Sequence, residues 1–148
     1  MDHYDNKIIH LLVGNARITG ADIARKLNLS LPAITERLRK LDRSGYIDNY
    51  TIKINRQKLD QKILAFIQVW IDHSKGANNL DNIIALNEVL ECHHIAGDCD
   101  LLLKVVVKDT LALEELLVKK IKGIKSVTRT STTIILSTYK EEINTRNF

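Results

Sequence analysis

Four potential metal ligands lie close together in the second half of the chain. Cys92, His93, His94 and Cys99 fall within eight residues, and thiolate and imidazole are ligands that zinc favours. In a strand, however, alternate side chains point to opposite faces, so Cys92 and His94 would share one face while His93 pointed to the other. The pattern therefore disfavours a closed tetrahedral site. We predict no metal, with Cys92 as a small core residue and the two histidines at a sheet edge or an interface.

Catalytic patterns are missing from the sequence. It contains no nucleophile–base–orienter set and no glycine-rich phosphate loop. Two cysteines separated by seven positions do not make a disulfide framework. We therefore predict a protein that is not an enzyme and carries no cofactor.

The charge is unevenly distributed along the 148 residues. The chain has a formal net charge of +4, yet residues 1–63 alone carry +5 and residues 64–137 carry −1. A basic first half beside a nearly neutral second half indicates two modules, the first of which faces a polyanion. A solvated helix face would explain the excess equally well until motifs are considered. No apolar run approaches the roughly 18 residues of a membrane span, and the acidic N-terminus does not resemble a secretory signal.

Three short helices are predicted in the first half. The second begins at Thr19, a helix N-cap with an acidic residue three positions later, and Asn28 ends it. Ser30 caps the third helix at once, with Pro32 in its first turn. Two helices joined by so tight a link form a helix-turn-helix, whose second helix enters the DNA major groove. A three-helix packing unit without a DNA role is the alternative.

The outer face of the third helix has the chemistry that a DNA-reading helix needs. Ile34, Leu38 and Leu41 share the buried stripe, so small residues face outward at the start of the helix and basic residues toward its end. Arg39 could reach guanine and Thr35 a thymine methyl group. Glu36 could accept from cytosine or pair with Lys40, and we favour the pair. The predicted DNA-contacting residues are Arg17, Arg25, Lys26, Ser30, Pro32, Ala33, Thr35, Glu36, Arg37, Arg39, Lys40 and Arg43.

A short hairpin is predicted to follow the three helices. Asp48-Asn49 is a turn signal, and Tyr50, Ile52 and Ile54 alternate with polar residues. This hairpin would form a wing on the helices. We therefore divide the chain into a winged helix-turn-helix domain over residues 1–55, a linker over 56–62, a second domain over 63–140 and a tail over 141–148.

The second domain alternates strands and helices in the order β-α-β-β-α-β. Strands are predicted over residues 63–72, 92–96, 101–107 and 127–139, with helices from residues 80 and 110 and a chain break at 76–79. This is an α+β, ferredoxin-like arrangement with both helices on one face of the sheet. The other face of the sheet is hydrophobic, because it carries Phe66, Trp70 and a third strand that is apolar on both sides. A large apolar face of this kind normally mediates association, so we predict a homodimer that can assemble further.

Several segments, taken together, resemble the leucine-responsive regulator/AsnC (feast/famine) family of transcription regulators. In the first half they are residues 5–9 (DNKII), 15–18 (NARI), 27–30 (LNLS), 36–41 (ERLRKL) and 45–50 (GYIDNY). In the second half they are residues 91–104 (ECHHIAGDCDLLLK) and 127–133 (VTRTSTT). The Gly-Asp-x-Asp loop behind a helix-turn-helix is the most specific of these features.

The resemblance implies an amino-acid effector that binds near this loop and the last strand. The positions carried over are Gly97, Asp98, Asp100, Thr130 and Thr132. An aspartate would take the ammonium group of the effector, and backbone N–H groups and threonine hydroxyls would hold its carboxylate. The aspartates could equally be turn residues and the threonines simply strand formers.

Together these features predict a sequence-specific DNA-binding transcription regulator that responds to a small effector, an amino acid by the resemblance. It would bind double-stranded DNA in the cytoplasm, associated with the nucleoid. The alternative is an architectural protein that wraps DNA without an effector.

Overall fold

The structure is a computed structural model that describes residues 1–75 and 79–145. The predicted break at residues 76–79 therefore lies largely outside the described residues. Two compact units are present, each described here by itself. The first comprises Met1–Ile54 together with the segment that begins at Lys140, and the second comprises Asn55–Tyr139.

Side-chain caps define the three helices of the first unit, α1 (His3–Gly14), α2 (Gly20–Leu27) and α3 (Leu31–Arg43). The Thr19 hydroxyl accepts from the Asp22 backbone N–H at the start of α2. Asn28 ends α2 in the left-handed conformation, with φ of 53°, which an asparagine tolerates better than most residues do. Ser30 caps α3 two residues later. The predicted helix-turn-helix spacing is therefore confirmed in the backbone.

The first unit encloses its own small core. Ile8, Ile23 and Ile34 are fully buried, one from each helix. Close packing also constrains Gly20, because a Cβ atom at this position would lie 3.3 Å from Leu31 Cδ1. The absence of a side chain at Gly20 thus lets the start of α2 approach the start of α3.

A buried ion pair joins α3 to the beginning of α1. Asp5 has a side chain that is 1% exposed, and its Oδ1 accepts from Arg37 Nη1 at 2.6 Å. Arg37 also contacts Asp2 Oδ2 at 2.7 Å. Asp2 and Asp5 form a reciprocal capping box at the N-terminus of α1, so the same two carboxylates cap one helix and anchor another.

The predicted hairpin over residues 46–54 is wrong, because none of these residues belongs to a strand. Ile52 is 72% exposed, so the alternation of apolar residues does not bury one face. Lys53 instead contacts Glu141, with Nζ 3.5 Å from Oε2. The segment 46–53 and the C-terminal segment 141–145 line a groove together with α1 residues Ile9 and Leu12.

The second unit is a four-stranded antiparallel sheet with the order β2-β3-β1-β4. Its strands are β1 (Ile63–Ile71), β2 (Val89–His94), β3 (Leu101–Val107) and β4 (Val127–Ile134). The helix α4 (Asn79–Ile84) precedes β2, and α5 (Thr110–Glu115) continues into a π-type segment, Leu116–Ile121. The predicted β-α-β-β-α-β order is confirmed.

Several predicted boundaries differ, and the larger differences arise because strand pairing overrides the local pattern. The predicted ends of the first and second strands, at residues 72 and 96, lie one and two residues beyond the ends of β1 and β2. Val89 pairs with Val105, so β2 begins earlier than residue 92 and the preceding helix stops well short of residue 90. Ile134 is opposite Ala65, and the Ile135 N–H donates to the Leu64 carbonyl at 2.8 Å, close to the first residue of β1. The pairing partner of β4 is therefore nearly used up here, and β4 ends before residue 139.

The core of the second unit lies on one face of the sheet. Ala65, Ile67 and Val69 of β1 are fully buried there, among residues of α4, α5 and the π-type segment. Phe66, Gln68 and Trp70 alternate with them and therefore point to the other face. We call these two faces the helix face and the outer face of the sheet.

The Asp2–Asp5–Arg37 cluster predicts acid sensitivity of the first unit. Burial raises the pKa of Asp5, but hydrogen bonds from the Asp2 backbone N–H and Arg37 outweigh it, and the net pKa is lowered. Hydrogen bonding from the Asp5 backbone N–H, with Arg37, lowers the pKa of Asp2 to about 2. Carboxyls with lowered pKa stabilise the fold fully above their unfolded pKa, and this stabilisation is lost as the pH falls through the folded value.

We therefore expect the thermal stability of the full chain to fall between about pH 5 and pH 2. Asp5→Asn should lower the free energy of unfolding at neutral pH by about 1–3 kcal/mol and make its pH dependence shallower. Asp48→Asn, which changes an exposed carboxyl of the same unit, is the control. If the melting temperatures of wild type and Asp5→Asn fell equally across this pH range, the assignment would be contradicted.

Candidate functional site

The helix α3 presents the outward face that its sequence predicts. Ser30 Oγ accepts from the Ala33 backbone N–H at 3.3 Å, and Pro32 occupies the first turn. Ala33 and Thr35 are half-buried at the margins of the face. The exposed residues of this face are Pro32, Glu36, Arg39, Lys40 and Arg43. Small side chains at the start of the helix and cations toward its end leave room for a close approach to bases and then to phosphates.

Two side chains on this face make contacts that differ from the predicted ones. Glu36 is 4.0 Å from Arg39, not paired with Lys40 as expected. Both groups are exposed, so this pair adds little stability and leaves Arg39 able to exchange partners. The Thr35 hydroxyl donates to the Leu31 carbonyl at 2.9 Å, so what Thr35 offers a ligand is its methyl group and the oxygen lone pairs.

Arg37 does not belong to the exposed face. Its guanidinium is held by Asp2 and Asp5 and lies over the Tyr4 ring, with Cζ 5.4 Å from the ring centroid. The hydrogen bonds that Arg37 donates to Asp2 and to Asp5, with the larger effect from Asp2, raise the pKa of Arg37. We therefore correct the predicted DNA-contacting set by removing Arg37, because its guanidinium is committed to packing α3 against the N-terminus.

The predicted phosphate contacts lie around the helix-turn-helix. Arg25 and Lys26 are exposed in the last turn of α2, where cations also complement the helix dipole. Arg25 pairs with Asp22 of the same helix. Arg17 is exposed in the turn before α2, and its backbone N–H donates to Asn15 Oδ1 at 3.0 Å.

An exposed leucine at the start of α3 was not among the predicted contact residues. Leu31 is 50% exposed, and it lies directly before Pro32 and Ala33 on the edge of the same face. Its apolar character and its position at the first residue of the helix were the available signals in the sequence. Leu31 adds an apolar surface beside the small residues.

In the second unit, the 97–100 loop (Gly-Asp-Cys-Asp) joins β2 to β3 and is anchored on the end of β1. The Asp100 backbone N–H donates to the Val69 carbonyl at 3.0 Å. Its carboxylate accepts from the Ile71 backbone N–H at 2.6 Å and lies 3.5 Å from His73 Nε2. The hydrogen bond from Ile71, together with His73, lowers the pKa of Asp100. Asp100 thus holds the loop in place with both its backbone and its side chain.

Asp98 is positioned differently from Asp100. Its backbone carbonyl accepts from Trp70 Nε1 at 2.6 Å, whereas its side chain is exposed and makes no hydrogen bond within the described part of the chain. Cys99, between the two aspartates, is buried at 3% exposure. Gly97 is exposed at the tip of the loop. The loop therefore offers one carboxylate to solvent and uses the other for its own structure.

Thr130 and Thr132 lie on β4, across β1 from the loop. Thr130 is opposite Val69 and Thr132 is opposite Ile67. Residues directly opposite one another share a sheet face, so both threonines are on the helix face, where they are half-buried. The structure thus brings Gly97, Asp98 and Asp100 together and leaves the threonines one strand away.

The potential metal ligands are separated as the strand alternation predicts. Cys92 is opposite Leu103 and His94 opposite Leu101, on the helix face, while His93 is opposite Leu102 on the outer face. Burial raises the pKa of the Cys92 thiol, which disfavours the thiolate form that zinc needs. Across residues 1–75 and 79–145, no group of three or more His, Cys, Asp or Glu side chains could hold a metal ion. In this same part of the chain, no helix is long and apolar enough to cross a membrane.

Comparison with known proteins matches both units to described domains. Residues 1–48 match a model described as winged helix-turn-helix DNA-binding. Residues 64–145 match a model described as the Lrp/AsnC ligand binding domain. The Leucine-responsive regulatory protein of Escherichia coli (strain K12) is 30% identical over 146 residues, which cover 95% of this chain and 88% of that protein.

The chain belongs to the Lrp/AsnC family of DNA-binding transcription regulators. The predicted fold class and family resemblance are thereby confirmed. Its similarity to named regulators agrees with the expectation that it is not an enzyme.

Solved structures of Lrp/AsnC regulators superpose on nearly the whole chain. E. coli AsnC does so with a TM-score of 0.90 and 26% identity, covering 99% of this chain and 98% of that one. The feast or famine regulatory protein from M. tuberculosis, complexed with L-methionine, gives a TM-score of 0.90 and 29% identity over 97% of both chains.

The different contacts of Asp98 and Asp100 predict different effects of removing their side chains. Asp100→Ala should lower the melting temperature of the full chain, because the Ile71 N–H then loses its acceptor. Asp98→Ala should leave the melting temperature unchanged, since its contact to Trp70 uses the backbone carbonyl. Thermal melts of both variants at neutral pH measure this, and an equal loss for both would contradict the assigned contacts.

Proposed function

We propose that this Lrp/AsnC regulator recognises specific DNA sequences with α3 and that an amino acid modulates its DNA affinity or its assembly. The part of this proposal that concerns the effector is supported by the L-methionine complex of the M. tuberculosis regulator, which is 29% identical to this chain over 97% of both chains. The DNA half is supported by the exposed face of α3 and its cap at Ser30.

The proposed base contacts come from the first turns and the middle of α3. Ala33 and the Thr35 methyl group suit a thymine methyl, and Arg39 has the length and the donors to reach guanine. Lys40 and Arg43 are positioned for phosphates, with Arg17, Arg25 and Lys26 from the preceding elements. Ser30, Pro32 and Glu36 complete the proposed surface, and Arg37 stays outside it.

The proposed effector site is built on the 97–100 loop. Asp98 is the better partner for an ammonium group because its carboxylate is exposed and makes no hydrogen bond within the described residues, whereas Asp100 already accepts from Ile71. Backbone N–H groups around Gly97 would hold the carboxylate of an amino acid. Thr130 and Thr132 lie on the helix face, one strand away from the loop, so they are left out of this proposed site.

We further propose that the outer face of the sheet forms a homodimer that can assemble further. Phe66, Trp70 and Leu102 are half-buried on this face, with Lys104 among them. The packed helices all contribute to the core on the opposite face. A dimer would present two α3 helices to half-sites about one helical turn apart, or a multiple of it. An effector that changes assembly needs a coupling of only ~1–3 kcal/mol to change DNA occupancy several-fold.

Substitutions on α3 test the DNA half. Arg39→Ala should weaken binding to a selected duplex by about 10- to 100-fold and relax its sequence preference. Lys40→Ala should weaken binding to all duplexes alike and reduce the salt dependence. Lys122→Ala, an exposed cation of the second unit, is the matched control. Equal losses for Arg39→Ala and Lys122→Ala in a titration at fixed salt would refute the assignment.

A panel of the twenty amino acids tests the effector half. A ligand present at ~100 times its Kd stabilises the protein by roughly 2.7 kcal/mol, which shifts the thermal melt by several degrees. Asp98→Asn should abolish the shift while leaving DNA binding intact. If no amino acid shifts the melt at millimolar concentration while DNA binding persists, the protein is an architectural DNA-wrapping protein instead.

A further inference from the structure

Trp70 makes three contacts where β1, β4 and the 97–100 loop meet. Its indole Nε1 donates to the Asp98 carbonyl at 2.6 Å. The Arg129 guanidinium lies over its ring, with Cζ 4.4 Å from the ring centroid. The Thr128 hydroxyl donates to the Trp70 carbonyl at 3.2 Å. One residue thus joins the loop to two neighbouring residues of β4.

The pairing of β1 with β4 is irregular beside Trp70. The β1–β4 register shifts between Trp70 and Ile71, with Trp70 directly opposite Arg129. Irregularities of this kind re-aim side chains at the end of a ladder. The next residue, Ile71, donates its N–H to the Asp100 carboxylate. Trp70 therefore holds Asp98 through its indole N–H, and the next residue, Ile71, holds Asp100 through its backbone N–H.

These contacts fix the orientation of the peptide that follows Asp98. The Asp98 carbonyl is held by the indole, and because the peptide is planar and trans, the Cys99 N–H points the opposite way. The side chain of Cys99, the next residue, is buried at 3% exposure. With its backbone held between these two points, Asp98 has its carboxylate directed to solvent.

We propose that Trp70 and Arg129 are positioning residues for the effector: together they hold the 97–100 loop so that the Asp98 carboxylate meets the ammonium group of an amino acid. We call this pair the Trp70 clamp. The inference rests on the proposed function for its ligand, whereas the clamp itself rests on the contacts above. Arg129 has a second effect on specificity, because a guanidinium over the indole that holds the loop favours a ligand that also carries a carboxylate over a simple amine.

Two variants dissect the clamp. Trp70→Phe keeps an aromatic ring beneath Arg129 but removes the N–H that holds the Asp98 carbonyl. Arg129→Met keeps a long side chain over the ring but removes its charge. Phe66→Leu is the matched control, since Phe66 lies on the same face of β1 opposite Lys104 and Thr133 and away from the loop.

Thiol labelling reports the state of the loop without any ligand. The full chain is exposed to N-ethylmaleimide, and the modified Cys92 and Cys99 peptides are quantified separately by mass spectrometry. Cys99 in Trp70→Phe should be labelled about 10-fold faster than in wild type, as expected if one hydrogen bond that holds the loop is lost. Arg129→Met should give a smaller increase in the same direction. Cys92, on β2, should be labelled at an unchanged rate in every variant.

The ligand-dependent measurement separates a positioning role from a merely structural one. Trp70 is the single tryptophan of the sequence, so its fluorescence in wild type and Arg129→Met should respond to the amino acid that shifts the melt. Trp70→Phe, followed by thermal shift, should bind that amino acid about 10-fold more weakly. Phe66→Leu, which changes the same proposed dimer face away from the loop, should bind it with wild-type affinity.

The outcomes distinguish failure of the clamp from failure of the effector. Unchanged Cys99 labelling in Trp70→Phe, or an equal increase in Phe66→Leu, overturns the clamp whether or not an amino acid binds. Faster labelling with unchanged ligand affinity overturns the positioning role. If no amino acid binds wild type, the effector proposal fails, and the clamp as a loop anchor is decided by the labelling alone.

Discussion

The burial of alternate β1 side chains is the constraint on which the second unit depends. Ala65, Ile67 and Val69 have no exposed surface, and β1 pairs with both β3 and β4. A shift of β1 by one residue would move this entire set to the outer face. The register therefore also decides that Trp70 faces outward toward the loop, while Thr130 and Thr132 face inward. Core packing and the geometry of the proposed effector site are thus set by the same alternation.

In the first unit, one ion pair gives different roles to two arginines of α3 that the sequence alone does not distinguish. Arg37 and Arg39 lie two positions apart on α3, so they point in different directions around the helix. Asp5 is nearly inaccessible and satisfied by Arg37, and an unpaired charge at that site would be costly. The pair therefore holds α3 in the rotation that leaves Arg39 outward. The arginine that is bound to the buried Asp5 determines what the exposed arginine can reach.

Local signals predicted the local structure well, and failed where a distant partner decides. The caps at Thr19, Asn28 and Ser30 predicted the helix-turn-helix because a cap acts within one turn. The apolar run 101–107 predicted β3 with both of its bounds. The alternation at Tyr50, Ile52 and Ile54 predicted a hairpin that does not form, since these residues find no buried face. The Arg37–Asp5 contact spans 32 positions, and the role of Asp100 depends on Ile71. Neither partner could be identified before the elements were assembled.

The division of the first unit between the two ends of the chain has a consequence for its biosynthesis. The groove beside α1 is lined partly by residues 141–145, which the ribosome makes only after the whole second unit. Domains generally fold as units while translation proceeds. The three helices can therefore assemble early, but α1 residues such as Ile9 and Leu12 lack these groove neighbours until residues 141–145 have been made. A nascent chain of this regulator thus completes its sheet domain before its DNA-binding domain.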